Sequence, residues 1–505
     1  MDSEKQASDV TYAVAAGGKH AELTQEQTRY VKGAVELPKS HNICGVSVWA
    51  YSHPRVQAIM LGCVLFLTVG MYNVITFLGG AGQQTAWLSD IANISLYTVF
   101  TVFNLIAPAC LNYFGLRKTL CFGGIGYAAY AASLWCYNRT ANVPFVVFGA
   151  SWCGLSAAFL WVAEGTAITA FASEEKKGMY VSIFWSIFQF GVLLTLTTGA
   201  AIPVAQNWNA GDKNKSTVTD GTYIGFMILM LLGSALGLAL YPWQRMVRED
   251  GSRVLLEKQK TFMEEIKTSY YVFMDHKWIA YAWPYFFAVN YYVIYQNNCF
   301  NAPVFTVRGR ALNTFCSGVI QIPAAWLLNI FTDKLPCKRR WRAFWGLLYV
   351  FTTFNAVWLG GYWAMDKTVY GLEEADRRDV YDANYGWWCF LFTMYGFGDA
   401  TFNCYAFWFM GALSNETSEL SVYCAMYRLL NALCQICAYT FDLRGYSKEF
   451  MFGSSWFLVA LGPVCMLPII KYHMKDTNMK QIDEVIDGLE ARHPMTENDT
   501  VPAKN

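Results

Sequence analysis

Twelve runs of predominantly apolar residues pass through this chain, at about 56–80, 92–113, 119–138, 143–170, 179–205, 222–243, 277–298, 311–331, 343–363, 386–412, 421–442 and 452–472. About 20 such residues in a helix cross the hydrocarbon core of a bilayer. In lipid, only a helix or a closed barrel leaves no peptide group unsatisfied. The series therefore predicts an all-α polytopic membrane protein with twelve transmembrane helices. Charged residues make up 15% of the chain, against about 25% in soluble domains. Aromatics at 17% suit two interfacial belts. A net charge of +1 supplies no basic field for nucleic acid. The expected partner is the lipid bilayer.

A charged stretch, 244–276, separates six runs from six. The predicted organisation is an N-terminal tail over 1–55, a six-helix bundle over 56–243, a linker over 244–276, a second six-helix bundle over 277–472 and a C-terminal tail over 473–505. The first 55 residues hold no apolar core of a cleavable signal, so the first run is expected to act as a signal anchor. Lys and Arg concentrate in the tails, the linker and the loops after even-numbered spans, notably Arg117, Lys118 and "KLPCKRRWR" at 334–342. By the positive-inside rule both termini and the linker are cytosolic. In the linker, Val254, Leu255, Phe262, Ile266, Tyr270 and Phe273 recur at helical spacing among Glu and Lys. They predict an amphipathic helix on the cytosolic face. Most cysteines lie inside apolar runs and are read as packing residues, including the pair Cys434 and Cys437.

An ionisable side chain inside a span is costly against lipid, so it faces a cavity or a partner. Three stand out: Glu164 in span 4, Asp399 in span 10 and Arg428 in span 11. Arg428, Asn431, Gln435 and Asp442 share one helical face, over about 21 Å at 1.5 Å per residue. That stripe either lines a water-filled cavity or binds span 11 to its neighbours. Asp399 sits in "YGFGDAT", where Gly396 and Gly398 admit a close neighbour. Arg428 on the next span is its expected partner. Glu164 has no cation within its own span, so it is expected to face the cavity between the bundles. Asn73, Gln189, Asn290 and Gln296 extend the polar set in spans 1, 5 and 7, with Ser182 and Ser186 on the face of Gln189. The rings Trp283, Tyr285, Phe286, Tyr291, Tyr292 and Tyr295 lie beside those of span 7; they either pack the core or hold a cation by their faces. No P-loop, metal-ligand cluster or nucleophile–base motif is present in the sequence, so no catalytic residue, metal or cofactor is expected.

The six-plus-six layout is that of a major facilitator transporter, in which the substrate site lies between the halves near the midplane. "LNYFGLRKTL" (111–120) resembles the facilitator loop signature after span 2: Gly115, Arg117 and Lys118 match it, and Asn112 replaces its usual Asp. "GMYNVITFLGGAGQQT" (70–85), "SEEKKGMYVSIFWSIFQFG" (173–191), "YQNNCFNAPVFTVRGRALN" (295–313) and "YGFGDATFNCYAFWFMGALSN" (395–415) resemble, in order, the fungal branch of the Unc-ninety-three-like family. The resemblance covers about 54–472 and implies the facilitator fold. It implies either secondary transport of a small solute or ion, or a non-transporting partner that regulates or escorts another membrane protein.

Overall fold

The computed structural model describes residues 40–43, 46–77, 86–194, 220–250, 254, 261–368 and 377–478. The glycines of 79–82, the end of span 5 and most of both tails lie outside the described residues. A short hairpin, β1 (Ser40–Ile43) with β2 (Val46–Trp49), precedes the helices and was not expected in the tail.

Among the described residues, helices follow in the predicted order. The first, α1, runs Pro54–Leu65 through a π-helical turn, Phe66–Gly70, into Met71–Phe77. Pro54 opens it, where a missing N–H costs nothing. The second, α2, is Ala86–Asn104 plus Ala107–Phe114. A 61° bend separates its two pieces. Pro108 explains the bend, since its ring clashes with the carbonyl four residues earlier. Next come α3 (Leu116–Thr140), α4 (Val143–Phe171), α5 (Lys177–Leu194) and α6 (Asp220–Ala239). The linker helix is Phe262–Asp275. The seventh, α7, is broken into short pieces from Lys277 to Val304. The remainder are α8 (Val307–Asn329, extended by a π-helical turn to Lys334), α9 (Arg339–Thr368), α10 (Tyr385–Leu413), α11 (Thr417–Leu443) and α12 (Lys448–Tyr472). Among the described residues, six helices are long and apolar enough to cross a membrane, or seven with bent α2. Helix α10 has the length but carries Trp, Tyr and Gly where others carry aliphatics.

The halves meet where α2 packs along α11, α5 along α8, and α4 against α10 and α11. Small residues set the approach. A Cβ on Gly165 of α4 would stand 3.0 Å from Cys424 Sγ of α11, and within the second half one on Gly396 would stand 2.6 Å from the Ser317 carbonyl of α8.

At the end carrying the linker, polar bonds join the halves. Lys177 is buried and donates to the Gly411 carbonyl, the Ser414 carbonyl (2.9 Å) and Asn415 Oδ1 (2.8 Å). Asp333 of α8 accepts from the amides of Gly178 (3.0 Å) and Met179 (2.7 Å), the exposed donors of the α5 N-terminus. Glu174 pairs with Arg339 at 2.5 Å and accepts from Thr477 at 3.0 Å. The start of the C-terminal tail is thereby fastened to this end.

The linker helix does not simply lie on a surface. It packs against the second piece of α2 and against α11, with Phe262 edge-on to Tyr113 at 5.8 Å. Its buried residue is Glu265, which accepts from Asn112 Nδ2 at 3.3 Å. The carboxylate missing at Asn112 is thus supplied by the linker. Of the loop residues, Gly115 turns with φ +81°, and Arg117 donates to the Leu238 carbonyl at the end of α6. Lys118 is exposed and pairs with no described residue.

Upstream in the linker, Glu249 accepts from Arg55 (3.0 Å to Nη2), Lys176 (2.6 Å) and the Tyr180 hydroxyl (2.9 Å). Burial alone would raise its pKa. The bonds from Arg55, Lys176 and Tyr180 outweigh that and lower it from 4.5 to about 2. A depressed carboxylate stabilises the fold above its unfolded pKa, and that contribution fades as pH falls through the folded value. Glu249→Gln should therefore melt below wild type by a constant margin above about pH 4.5. The margin should close as pH falls toward about 2. Melting curves in detergent across that range are the check; a margin independent of pH would exclude the charged cluster as its source.

Candidate functional site

Between the halves lies a cavity of about 260 Å³, lined by α1–α5, α7, α8, α10 and α11. Asn73, Gln189, Asn290, Gln296, Asp399, Arg428, Asn431 and Gln435 all line it. These residues come from five helices distant in sequence. The two walls differ. The first half contributes mainly rings and apolar groups: Tyr72, Leu96, Tyr97, Phe100, Tyr127, Trp161, Trp185 and Phe188. The second half contributes amides, hydroxyls and the two ionisable groups, with Asn403 and Gln321 joining those already named.

Glu164 is the exception, and it corrects the expectation that it faces the cavity. It is fully buried behind the wall. Its partner is Arg428, whose Nη2 lies 3.5 Å from Glu164 Oε2. This also corrects the expected Asp399–Arg428 pair: no ion pair joins those two. The guanidinium is held over Trp161 (4.0 Å to the ring centre), Tyr427 (4.8 Å) and Phe407 (5.1 Å). Three ring faces and one carboxylate replace the water that a cation gives up on burial. Gly165, next to Glu164, allows α11 to come close enough for the pair to form.

Asp399 instead anchors a hydrogen-bond chain. Its Oδ1 accepts from the Tyr292 hydroxyl at 2.8 Å and from Asn403 Nδ2 at 2.9 Å, and Asn403 Oδ1 accepts from the Tyr427 hydroxyl at 2.8 Å. Among the described residues no donor reaches Oδ2. Asn403 could have been found in the sequence, since it lies one helical turn beyond Asp399. Tyr292 stands among the rings of span 7 without a sign of this bond, and Tyr427 could not be found, because rings of this kind fill the whole second half.

The polar face of α11 is both cavity wall and glue. Helix α7 breaks at Asn290, a non-glycine residue with φ +67°. A broken helix frees carbonyls that lipid cannot satisfy. Asn431 donates to the Val289 carbonyl (3.0 Å) and Gln435 to the Asn290 carbonyl (3.2 Å). Asp442, farther along that face, does not line the cavity and accepts from Asn298 at 2.6 Å. On α5, Gln189 donates to Gln321 of α8, and Ser182 donates to the Ala325 carbonyl at 2.9 Å. That face clamps α5 to α8.

The rings of 283–295 are core and surface, not cavity wall. Tyr285 stacks on Phe402 at 4.0 Å, Tyr295 packs edge-on to Trp358 at 5.5 Å, and Trp283 is exposed. Cys434 and Cys437 are free thiols. Among the described residues no group of His, Cys, Asp and Glu could hold a metal.

Two bundles packed around one polar cavity define a multi-pass membrane protein of the major facilitator fold. Solved transporters share it: the chain aligns with the proton:xylose symporter XylE at a TM-score of 0.58 and 15% identity, covering 86% of this chain and 99% of that one. It aligns with FucP in the outward conformation at 0.59 and 11% identity, covering 84% and 100%. The family described as "Ion channel regulatory protein UNC-93" matches residues 91–467, and the chain belongs to it. It is 34% identical over 457 residues to UNC93-like protein C922.05c of Schizosaccharomyces pombe, across 87% of this chain and 89% of that protein. It is 28% identical to UNC93-like protein 1 of Arabidopsis thaliana, across 85% and 93%.

Proposed function

We propose that this protein is a secondary transporter of a small solute or ion working by alternating access. The bundles 56–243 and 277–472 rock about the central cavity, and the termini and the linker 244–276 lie in the cytosol. The observation that carries this reading is the cavity itself. It is polar on one wall and placed between the halves. The bonds that close the linker end join one half to the other, so they can break without unfolding either. Its volume of about 260 Å³ falls just below the usual range of ligand sites, which begins at about 300 Å³, so the solute is small. The facilitator fold of the neighbours does not by itself assign an activity.

A second reading is favoured by the family's description as ion channel regulatory. On this reading the fold serves as a non-transporting regulator or escort of another membrane protein. Purified protein in proteoliposomes, assayed with a panel of labelled ions and small metabolites, separates the two. Transport requires saturable uptake of at least one solute above empty vesicles, competed by the same solute unlabelled. No uptake across the panel would leave the regulator reading in place.

A further inference from the structure

We infer that the cavity is built for a small organic cation, a protonated amine with an apolar body, whose charge Asp399 receives while its body lies on the ring faces of the first half. This names a substrate class for the transport reading above, and it stands as a binding claim apart from it.

The charge balance comes first. One carboxylate and one guanidinium line the cavity, Asp399 and Arg428. Arg428 has Glu164 behind it and three ring faces around it. Its charge is answered from inside the protein. Asp399 has no such answer. Its Oδ1 accepts two donors, from Tyr292 and Asn403, which suits a carboxylate that only accepts. No cation among the described residues pairs with it. With Arg428 engaged by Glu164 and three rings, Asp399 is the carboxylate of the cavity that no cation among the described residues reaches. A buried charge left alone is costly, and a ligand of opposite charge removes that cost.

The walls supply the second observation. Gln296 and Gln435 line the same cavity and are only 6% and 4% exposed. Gln296 Nε2 and Gln435 Oε1 have no hydrogen-bond partner in the structure. Buried amide atoms are rarely left so. The Gln435 oxygen can accept an ammonium N–H, whereas the Gln296 nitrogen only donates and takes no part in holding the cation. Facing this polar wall stand Tyr72, Tyr97, Phe100, Tyr127, Trp185 and Phe188. Ring faces attract cations and repel anions. A simple hydrated metal ion has no use for such a wall, and an anion is opposed by it and by Asp399.

The test uses the full chain purified in detergent and three probes matched in size: benzylammonium, benzoate and benzyl alcohol. Isothermal titration should show benzylammonium binding at least about tenfold more tightly than either of the others, a difference of about 1.4 kcal/mol. Asp399→Asn should bring benzylammonium down to the level of benzyl alcohol. Size-exclusion profiles confirm that the variant is folded. Should it fail to fold, Phe100→Leu removes one ring face and no polar group, and it should weaken benzylammonium by about threefold with little effect on benzyl alcohol. Preferential binding of benzoate, lost in Arg428→Gln, would make this an anion site and overturn the inference. Equal binding of all three, or none, would overturn it as well. Benzylammonium binding without uptake would remove the transport reading and keep this one. Uptake of a neutral or anionic solute without benzylammonium binding would do the reverse.

Discussion

Arg428→Gln alone is expected to cost the fold about 3–5 kcal/mol, more than removing Arg428 and Glu164 together. The reason is the asymmetry of the pair. Glu164 is fully buried, and its Oε1 already lacks a hydrogen-bond partner. Without the guanidinium at 3.5 Å it is left as an isolated carboxylate in low dielectric, or it must take up a proton. Glu164→Gln should be milder, because Arg428 keeps its three ring faces and lines the cavity. The double variant, Glu164→Gln with Arg428→Gln, should recover part of the loss. Asp399→Asn combined with Arg428→Gln should be additive, since those two share no bond. Folded yield after extraction and melting temperature in detergent measure all four. Additivity of the Glu164 and Arg428 effects, or coupling between Asp399 and Arg428, would contradict the pairing.

Lys177→Met should open the linker end. Lys177 is 1% exposed and holds three acceptors on the turn from α10 to α11. A hydrogen bond of this kind contributes about 0.5–1.5 kcal/mol net. Met fills the space and donates nothing, so the Gly411 and Ser414 carbonyls lose a donor in a buried place. The bundles themselves do not depend on these bonds. The expected result is a shift in conformation: a thiol introduced by Thr169→Cys, at a residue now 1% exposed, should react with a water-soluble maleimide about tenfold faster in the Lys177→Met background, the ratio expected for about 1.4 kcal/mol. Both proteins would be built on a cysteine-depleted chain. Unchanged labelling would mean that Lys177 does not hold the seal.

Much of the architecture could be read from the residues in order. Apolar runs of spanning length mark where helices must lie, because lipid accepts little else. A polar residue inside such a run must find a cavity or a partner. On that ground Asn73, Glu164, Gln189, Asn290, Gln296, Asp399, Arg428, Asn431 and Gln435 stand out, and the fold gathers all but Glu164 around one space. The cost of a polar group in lipid is a local property of a sequence.

Partnership is not local. Asp399 and Arg428 were matched because their spans are consecutive, yet Arg428 reaches Glu164, 264 positions away and in the other half. The break of α7 at Asn290 could not be read either, since a left-handed asparagine is set by what receives the freed carbonyls, here Asn431 and Gln435. Nor could the linker's Glu265 be seen as the stand-in for the loop's missing carboxylate. The membrane setting, the helix order and the polar positions are legible in the residues alone, because hydrophobicity and helical period act within a few turns. Which charges meet, which rings line the cavity and which amides cap a broken helix depend on contacts between segments that come together only when the chain folds.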